Sequence, residues 1–169
     1  MLEIFNNLAP FFEDSYRRVG VREYAKLIGV SPPTSSGVLS KLNKENLLLK
    51  EDYKNYILYF ANKENKVFID ISRIYWHYML RELIAYLEKH LLNPSIILYG
   101  SLSKAEVRSE SDIDLAIFAH KKNIDVETFE KKLKRKIQIF WYGSLSDIKS
   151  EELANNIING YLLSGRLKL

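Results

Sequence analysis

A Gly-Ser pair leaves an apolar run at Tyr99, and nine residues separate that serine from a Ser-Asp-Ile-Asp group that enters a second apolar run. The stretch 99–115, YGSLSKAEVRSESDIDL, therefore ties two strands to one turn. Ile96, Ile97, Leu98 and Tyr99 read as a buried strand ended by Gly100, while Ile113, Leu115 and Ile117 alternate with Asp112, Asp114 and Ala116 along another. Side chains repeat every two residues in a strand, so both carboxylates share one face. Two adjacent carboxylates repel unless a cation sits between them, and hard oxygen ligands at this spacing suit Mg²⁺ carrying a nucleotide's phosphates. At the turn, Gly100 leaves the backbone unobstructed, Ser101 offers a hydroxyl and an N–H, and 103–107 can begin a helix whose N-terminus attracts phosphate.

This segment closely resembles the signature of the DNA polymerase β-like nucleotidyltransferases, in particular the minimal nucleotidyltransferases related to kanamycin nucleotidyltransferase. Their pattern is Gly-Ser, nine residues, then Ser-Asp-x-Asp. The resemblance implies that Ser101 holds the terminal phosphates of a nucleoside triphosphate such as ATP, that Asp112 and Asp114 hold Mg²⁺, and that a nucleotidyl group is transferred with release of pyrophosphate. Gly100, Ser101, Lys104, Arg108 and Ser111 are the nucleotide-binding candidates, and Asp112 and Asp114 the catalytic and metal candidates.

Two positions depart from that pattern. Ala105 stands where the family has a Gly five positions after the first, a change that constrains the loop's approach to phosphate. The family also places a third carboxylate in a later strand, to deprotonate the attacking hydroxyl and complete the metal site. Here that strand is read over 136–142, KIQIFWY, and Gln138 takes the position. A neutral amide accepts no proton at working pH and is a poorer ligand than a carboxylate. Nothing in the sequence places Glu106, Glu110, Asp125 or Asp147 beside the aspartate pair.

The first third of the chain has a different grammar. Residues 22–28 have a helical pattern, Gly29-Val30 makes a turn, and Ser31-Pro32 opens a second helix with a capping hydroxyl followed by proline. The segments 47–50 and 56–60 read as paired strands around the polar loop 51–55, and 1–18 as a preceding helix. The stretch VREYAKLIGVSPPTSSGVLSKLNKENLL resembles prokaryotic winged-helix transcriptional regulators. In such modules the second helix enters the major groove, which points Thr34, Ser35, Ser36, Ser40, Lys41 and Lys44 toward DNA or RNA. Against strong nonspecific binding, 1–63 carries nine basic and seven acidic residues.

The expected organisation is α+β: an N-terminal winged helix over 1–63, a long linking helix over 64–92, and a small mixed-sheet nucleotidyltransferase fold over 93–169. Val67, Ile71, Ile74, Tyr78, Leu83, Leu87 and Leu91 make a rough stripe on the linking helix, a surface for the flanking modules or for a second copy in a homodimer. Beyond the aspartate strand, 125–134 reads as a helix, 136–142 as a strand and 151–163 as a final helix. The basic run Lys131, Lys132, Lys134, Arg135 and Lys136 reads first as a solvated helix face.

At 47% hydrophobic and 27% charged the composition is that of an ordinary soluble chain, and its apolar runs are too short and too often interrupted by charge to span a membrane. A chain without cysteine excludes disulfides and thiol ligands, and with no signal-peptide core a cytoplasmic location is the simplest expectation. His77, His90 and His120 lack metal-site spacing, and Ser101 lacks the surroundings of a nucleophile. Two functions follow: a nucleotidyltransferase acting on a protein, RNA or small-molecule acceptor, or a DNA-binding regulator whose degenerate transferase domain senses a nucleotide. Minimal nucleotidyltransferases include antitoxins that modify a helical ribonuclease, so the resemblance extends the acceptor classes to protein.

Overall fold

Phe5, Leu8, Phe11 and Phe12 recur at helical spacing, and their buried rings and methyls define the inner face of α1 (Glu3–Glu13). The helix expected over 1–18 stops early. The Asp14 carboxylate accepts from the Tyr16 N–H at 3.1 Å and the Asp14 carbonyl from the Arg17 N–H at 3.1 Å, and this turn feeds β1 (Arg18–Val19). The computed structural model describes residues 2–167, which divide into two units: 2–75 with Ala105–Ser109, and Trp76–Lys104 with 110–167.

In the first unit, α2 (Val21–Ile28) ends at Gly29 and α3 (Pro32–Lys44) starts from Ser31, whose hydroxyl accepts from the Thr34 N–H at 3.3 Å. A hairpin follows, β2 (Leu48–Tyr53) and β3 (Tyr56–Ala61), with β1 on the other side of β3. Pairing runs without interruption from Leu48↔Ala61 to Tyr53↔Tyr56. The polar loop expected over 51–55 therefore shrinks to Lys54-Asn55. Glu51 and Asp52 lie in the strand, where Glu51 pairs with Arg18.

The linking helix is α4 (Lys66–His90). Within the first unit its inner face is Phe68, Ser72 and Tyr75, with Phe12 5.2 Å from Phe68 and 5.1 Å from Tyr75 between ring centroids. The stripe expected through Val67 and Ile74 is turned outward, at 58% and 50% exposed. Both lines satisfy helical spacing, and the aromatic one is buried because each ring removes more area from water.

The second unit takes Trp76, Leu80, Leu83, Ile84 and Leu87 from α4 and a four-stranded sheet ordered β6-β5-β4-β7. These strands are β4 (Ser95–Tyr99), β5 (Ile113–Phe118), β6 (Ile137–Tyr142) and β7 (Tyr161–Ser164). β4 is antiparallel to β5 and β7, and β5 is parallel to β6, which makes the sheet mixed. The connections are α5 (Ser101–Lys104), α6 (Glu127–Leu133), a single 3-10 turn at Leu145–Asp147 and α7 (Glu151–Ile158). One sheet face, through Ile97, Tyr99 and Ala116, packs on Ile148 and Ile157, with Leu153 and Ala154 beside them.

The final helix expected over 151–163 is instead α7 followed by β7. Asn159-Gly160 reverses the chain so tightly that a Cβ on Gly160 would lie 2.7 Å from both Ile97 Cγ2 and the Leu98 carbonyl oxygen. Only a glycine lets Tyr161 come alongside Leu98 as its strand partner. Among the described residues no helix is long and apolar enough to cross a membrane.

Candidate functional site

Strand β4 ends at Tyr99, and Gly100 turns the chain with φ +71° into α5. The Ser103 hydroxyl, itself buried, donates to the Gly100 carbonyl at 2.9 Å and fixes the turn. Ala105 then takes φ +56°, the left-handed conformation for which a glycine is best suited, and ends α5 well short of the helix expected over 103–107.

Register does the rest. Tyr99 pairs with Asp114 on β5, and Asp114 pairs with Gln138 on β6, so β4, β5 and β6 place the Gly-Ser turn, the carboxylates and Gln138 in a row across one sheet face. Asp112 immediately precedes β5 and lies on that same face two residues before Asp114. The Asp114 carboxylate lies so close to the turn that a Cβ on Gly100 would be 2.6 Å from Asp114 Oδ2. Gly100 therefore meets two demands at once, a positive φ and a backbone bare enough for the carboxylate to approach.

Burial pushes the Asp114 carboxyl above its ordinary value, and the neighbouring Asp112 charge adds to the shift. The Tyr99 phenol is raised as well, first by burial and then by the charge of Asp114. Gln138 Nε2 donates to Asp112 Oδ2 at 2.5 Å, so the third position of the row offers an N–H to a carboxylate instead of a second acceptor. Among the described residues no group of three or more His, Cys, Asp or Glu side chains gathers as a metal site. A half-buried carboxylate raised by burial and then by its neighbour's charge nevertheless fits a hard divalent cation, because Mg²⁺ takes one or two protein carboxylates and fills its shell with water and phosphate oxygens.

The remaining nucleotide candidates lie on different supports. Lys104 Nζ donates to Asn156 Oδ1 on α7 at 2.8 Å. The Ser111 carbonyl accepts from Arg135 Nη1 at 2.6 Å, and the same guanidinium lies 5.3 Å from the Trp76 ring centroid. Arg108 belongs to the first unit, where it stacks 4.2 Å over the exposed Tyr16 ring. Sequence reading missed Arg135 as the anchor of the strand-entry loop and Phe140 as a 37% exposed ring standing edge-on to Tyr99 at 6.0 Å. The second was readable in principle, since Phe140 follows Gln138 by two residues and so shares its face.

In the first unit, Thr34, Ser36, Ser40, Lys41 and Lys44 are exposed on α3. Ser35 is not: it is fully buried and its hydroxyl donates to the Val21 carbonyl at 2.8 Å, so it is withdrawn from the surface set. The Thr34 hydroxyl is 2.9 Å from that of Ser31 and belongs to the helix cap. The basic run of the second unit is largely engaged, Lys131 with Glu127, Lys132 with Glu82 and Lys136 with Glu130. His77 packs against the Tyr161 ring and the His90 ring bonds the Tyr86 carbonyl.

The family model for polymerase beta nucleotidyltransferases matches residues 81–166. No curated protein and no solved structure gives a significant match. The matched residues make up just over half of the chain and contain the Gly100 turn, both aspartates and all four strands of the second sheet. The match spans the Gly100 turn and the aspartate pair, which the antiparallel pairing of β4 with β5 brings together, and the chain belongs to the polymerase beta nucleotidyltransferase family.

Proposed function

We propose that the protein binds a nucleoside triphosphate with Mg²⁺ at the Gly100 turn and transfers its nucleotidyl group to a hydroxyl of a protein, RNA or small-molecule acceptor. The observation that carries this reading is the close approach of the Asp114 carboxylate to Gly100, which sets an anion-accepting turn against an aspartate pair. The main-chain N–H and hydroxyl of Ser101 would bind the terminal phosphates. Asp112 and Asp114 would hold the Mg²⁺, which when bound offsets the charge that builds on the phosphate oxygens. The acceptor oxygen bonds to the α-phosphorus as the bond to pyrophosphate breaks. Gln138 lies where the acceptor's proton would leave, and since an amide does not take it, the proton passes to solvent.

The first unit is read as a winged helix that positions a nucleic acid or protein partner, with α2, α3 and the β2–β3 hairpin as its parts. The pairing of β1 with β3 supports that reading, as do the exposed Lys41 and Lys44 on α3. The hydrogen bond from Gln138 to Asp112 favours a second reading, a DNA-binding regulator that holds a nucleotide without turning it over.

Incubation with each α-labelled nucleoside triphosphate, Mg²⁺ and a cell extract separates the two, with label followed into protein, RNA and small molecules. Transfer that disappears in the Asp112→Asn/Asp114→Asn variant is expected; binding without transfer selects the regulator. Nucleotide affinity equal in wild type and the double variant overturns the site. Gln138→Asp restores a proton acceptor and is expected to raise the transfer rate by about ten-fold or more.

A further inference from the structure

The far side of β6 carries a second surface that the aspartate site does not use. In a parallel ladder each residue turns its N–H and C=O to the same side, and successive residues alternate. The carbonyls of Lys136 and Tyr142 accept from Ile113 and Ala119, so the even-numbered residues of β6 face β5. The odd-numbered ones, Ile137, Ile139 and Trp141, face outward along the edge of the sheet. Glu130 Oε1 accepts the outward Ile137 N–H at 2.9 Å, which caps the first register, and among the described residues no strand pairs with β6 on the side of Ile139 and Trp141.

Their side chains line a groove of about 510 Å³ together with Ile124, Val126, Lys121 and Lys122. Natural sheets blunt such edges with charge or proline, whereas this strand reads IQIFWY. The charge is placed around it instead. Residues 119–136 hold seven basic and three acidic side chains; Lys131, Lys132 and Lys136 are paired with carboxylates, and the charge at the groove itself is that of Lys121 and of Lys122, whose Nζ also donates to the His90 carbonyl at 2.7 Å.

We infer that the β6 edge binds an extended acidic segment of a partner protein, which adds as a strand beside Ile139 and Trp141, seats an apolar side chain in the groove and sets its carboxylates against Lys121 and Lys122. The surface is independent of the proposed transfer reaction. A second copy fits poorly: antiparallel pairing of β6 with itself would oppose the Lys134–Lys136 end of one strand to the end where the Lys121–Lys122 loop leaves β5, basic against basic. RNA would satisfy the lysines and leave the two open main-chain registers unmet.

The test uses the full chain and a synthetic peptide of alternating valine and glutamate, with valine–lysine and backbone N-methylated peptides as controls. The acidic peptide is expected to bind about ten-fold or more tighter than either control and to slow amide exchange at Ile139 and Trp141. Ile139→Pro removes an outward N–H that β5 does not use, so the strand is retained while binding falls by about ten-fold. Lys121→Glu, a change confined to an exposed side chain, reverses the peptide preference and serves as the test should the proline variant unfold. Equal binding of acidic and basic peptides, or no protection at Ile139 and Trp141 at millimolar peptide, overturns the proposal. So does oligouridylate binding that Lys121→Glu abolishes and Ile139→Pro leaves intact.

Discussion

The start of α3 and the β4–β5 pair are both rich in small polar residues, yet they use them in opposite ways. In α3 the serines and threonine serve the local chain: Ser31 caps the helix, Thr34 bonds Ser31, and Ser35 turns inward to the Val21 carbonyl. In the second unit, Asp112, Asp114 and Gln138 lie along one face of two paired strands, set there by register between segments distant in sequence. Helix polarity is decided within a turn or two, so a polar helix start is weak evidence for a ligand. Burial and then the charge of Asp112 disfavour the ionised form of the half-buried Asp114, a cost that nothing in its own strand explains and that a bound cation would offset.

One substitution made in both regions separates them most widely. Gly100→Ala puts a methyl 2.6 Å from the Asp114 carboxylate at a positive φ, and the expected loss is about 2–3 kcal/mol of stability together with Mg²⁺-dependent nucleotide binding. Gly37→Ala, in the exposed interior of α3 with nothing within 4 Å, is expected to stabilise by about 0.5–1 kcal/mol. Urea denaturation of both variants checks the pair of signs. If both changes stabilise the protein, the Gly100 turn is less constrained than its contact with Asp114 requires.

Ser35 and its neighbours sharpen the comparison at a smaller scale. Ser35→Ala leaves the Val21 carbonyl without its donor and is expected to cost about 1–1.5 kcal/mol, whereas the exposed Ser36→Ala changes stability by under about 0.5 kcal/mol. Lys41→Ala/Lys44→Ala should leave stability in place and, if α3 meets nucleic acid, lower the slope of log affinity against log salt by about 2. A salt slope unchanged in that double variant removes α3 from the interface.

What the sequence disclosed follows the same division. The strand that Asp112 precedes and Asp114 occupies could be read because alternation survives in a strand paired on both sides, and Gln138 could be placed opposite because β6 is continuous. The error at β7 has a physical origin. LANNIINGYLLSG keeps helical spacing through the chain reversal, and only Asn159-Gly160 marks the break, through a steric demand made by Ile97 and Leu98 sixty residues earlier. The stripe on α4 holds at Leu83, Leu87 and Leu91, which are buried, and fails at Val67 and Ile74, where two apolar lines fit one helix and the choice between them was made by Phe5 and Phe12 on α1. Contacts of that kind are absent from any local window.

The smallest expected effect tests whether the carboxylates are strained by their own arrangement. Asp114 has a folded-state pKa above its ordinary value, so folding disfavours its ionised form. Below the ordinary carboxylate range Asp114 is protonated in both the folded and unfolded chain, and Asp114→Asn should then match wild type. As pH rises through the titration of Asp114 the wild type loses stability that the variant keeps, and the gap in favour of Asp114→Asn reaches at most about 1 kcal/mol for a half-buried group. Asp112→Asn should narrow the gap, since the Asp112 charge adds to the shift. Saturating Mg²⁺ and nucleotide reverse the order, because only the wild type is stabilised by the bound cation. Urea titrations at several pH values, with and without Mg²⁺ and nucleotide, read all three changes. A gap of opposite sign without ligand would mean that a cationic side chain already holds Asp114 in its ionised form, and the pair would then be a structural ion site with no vacancy for a nucleotide's metal.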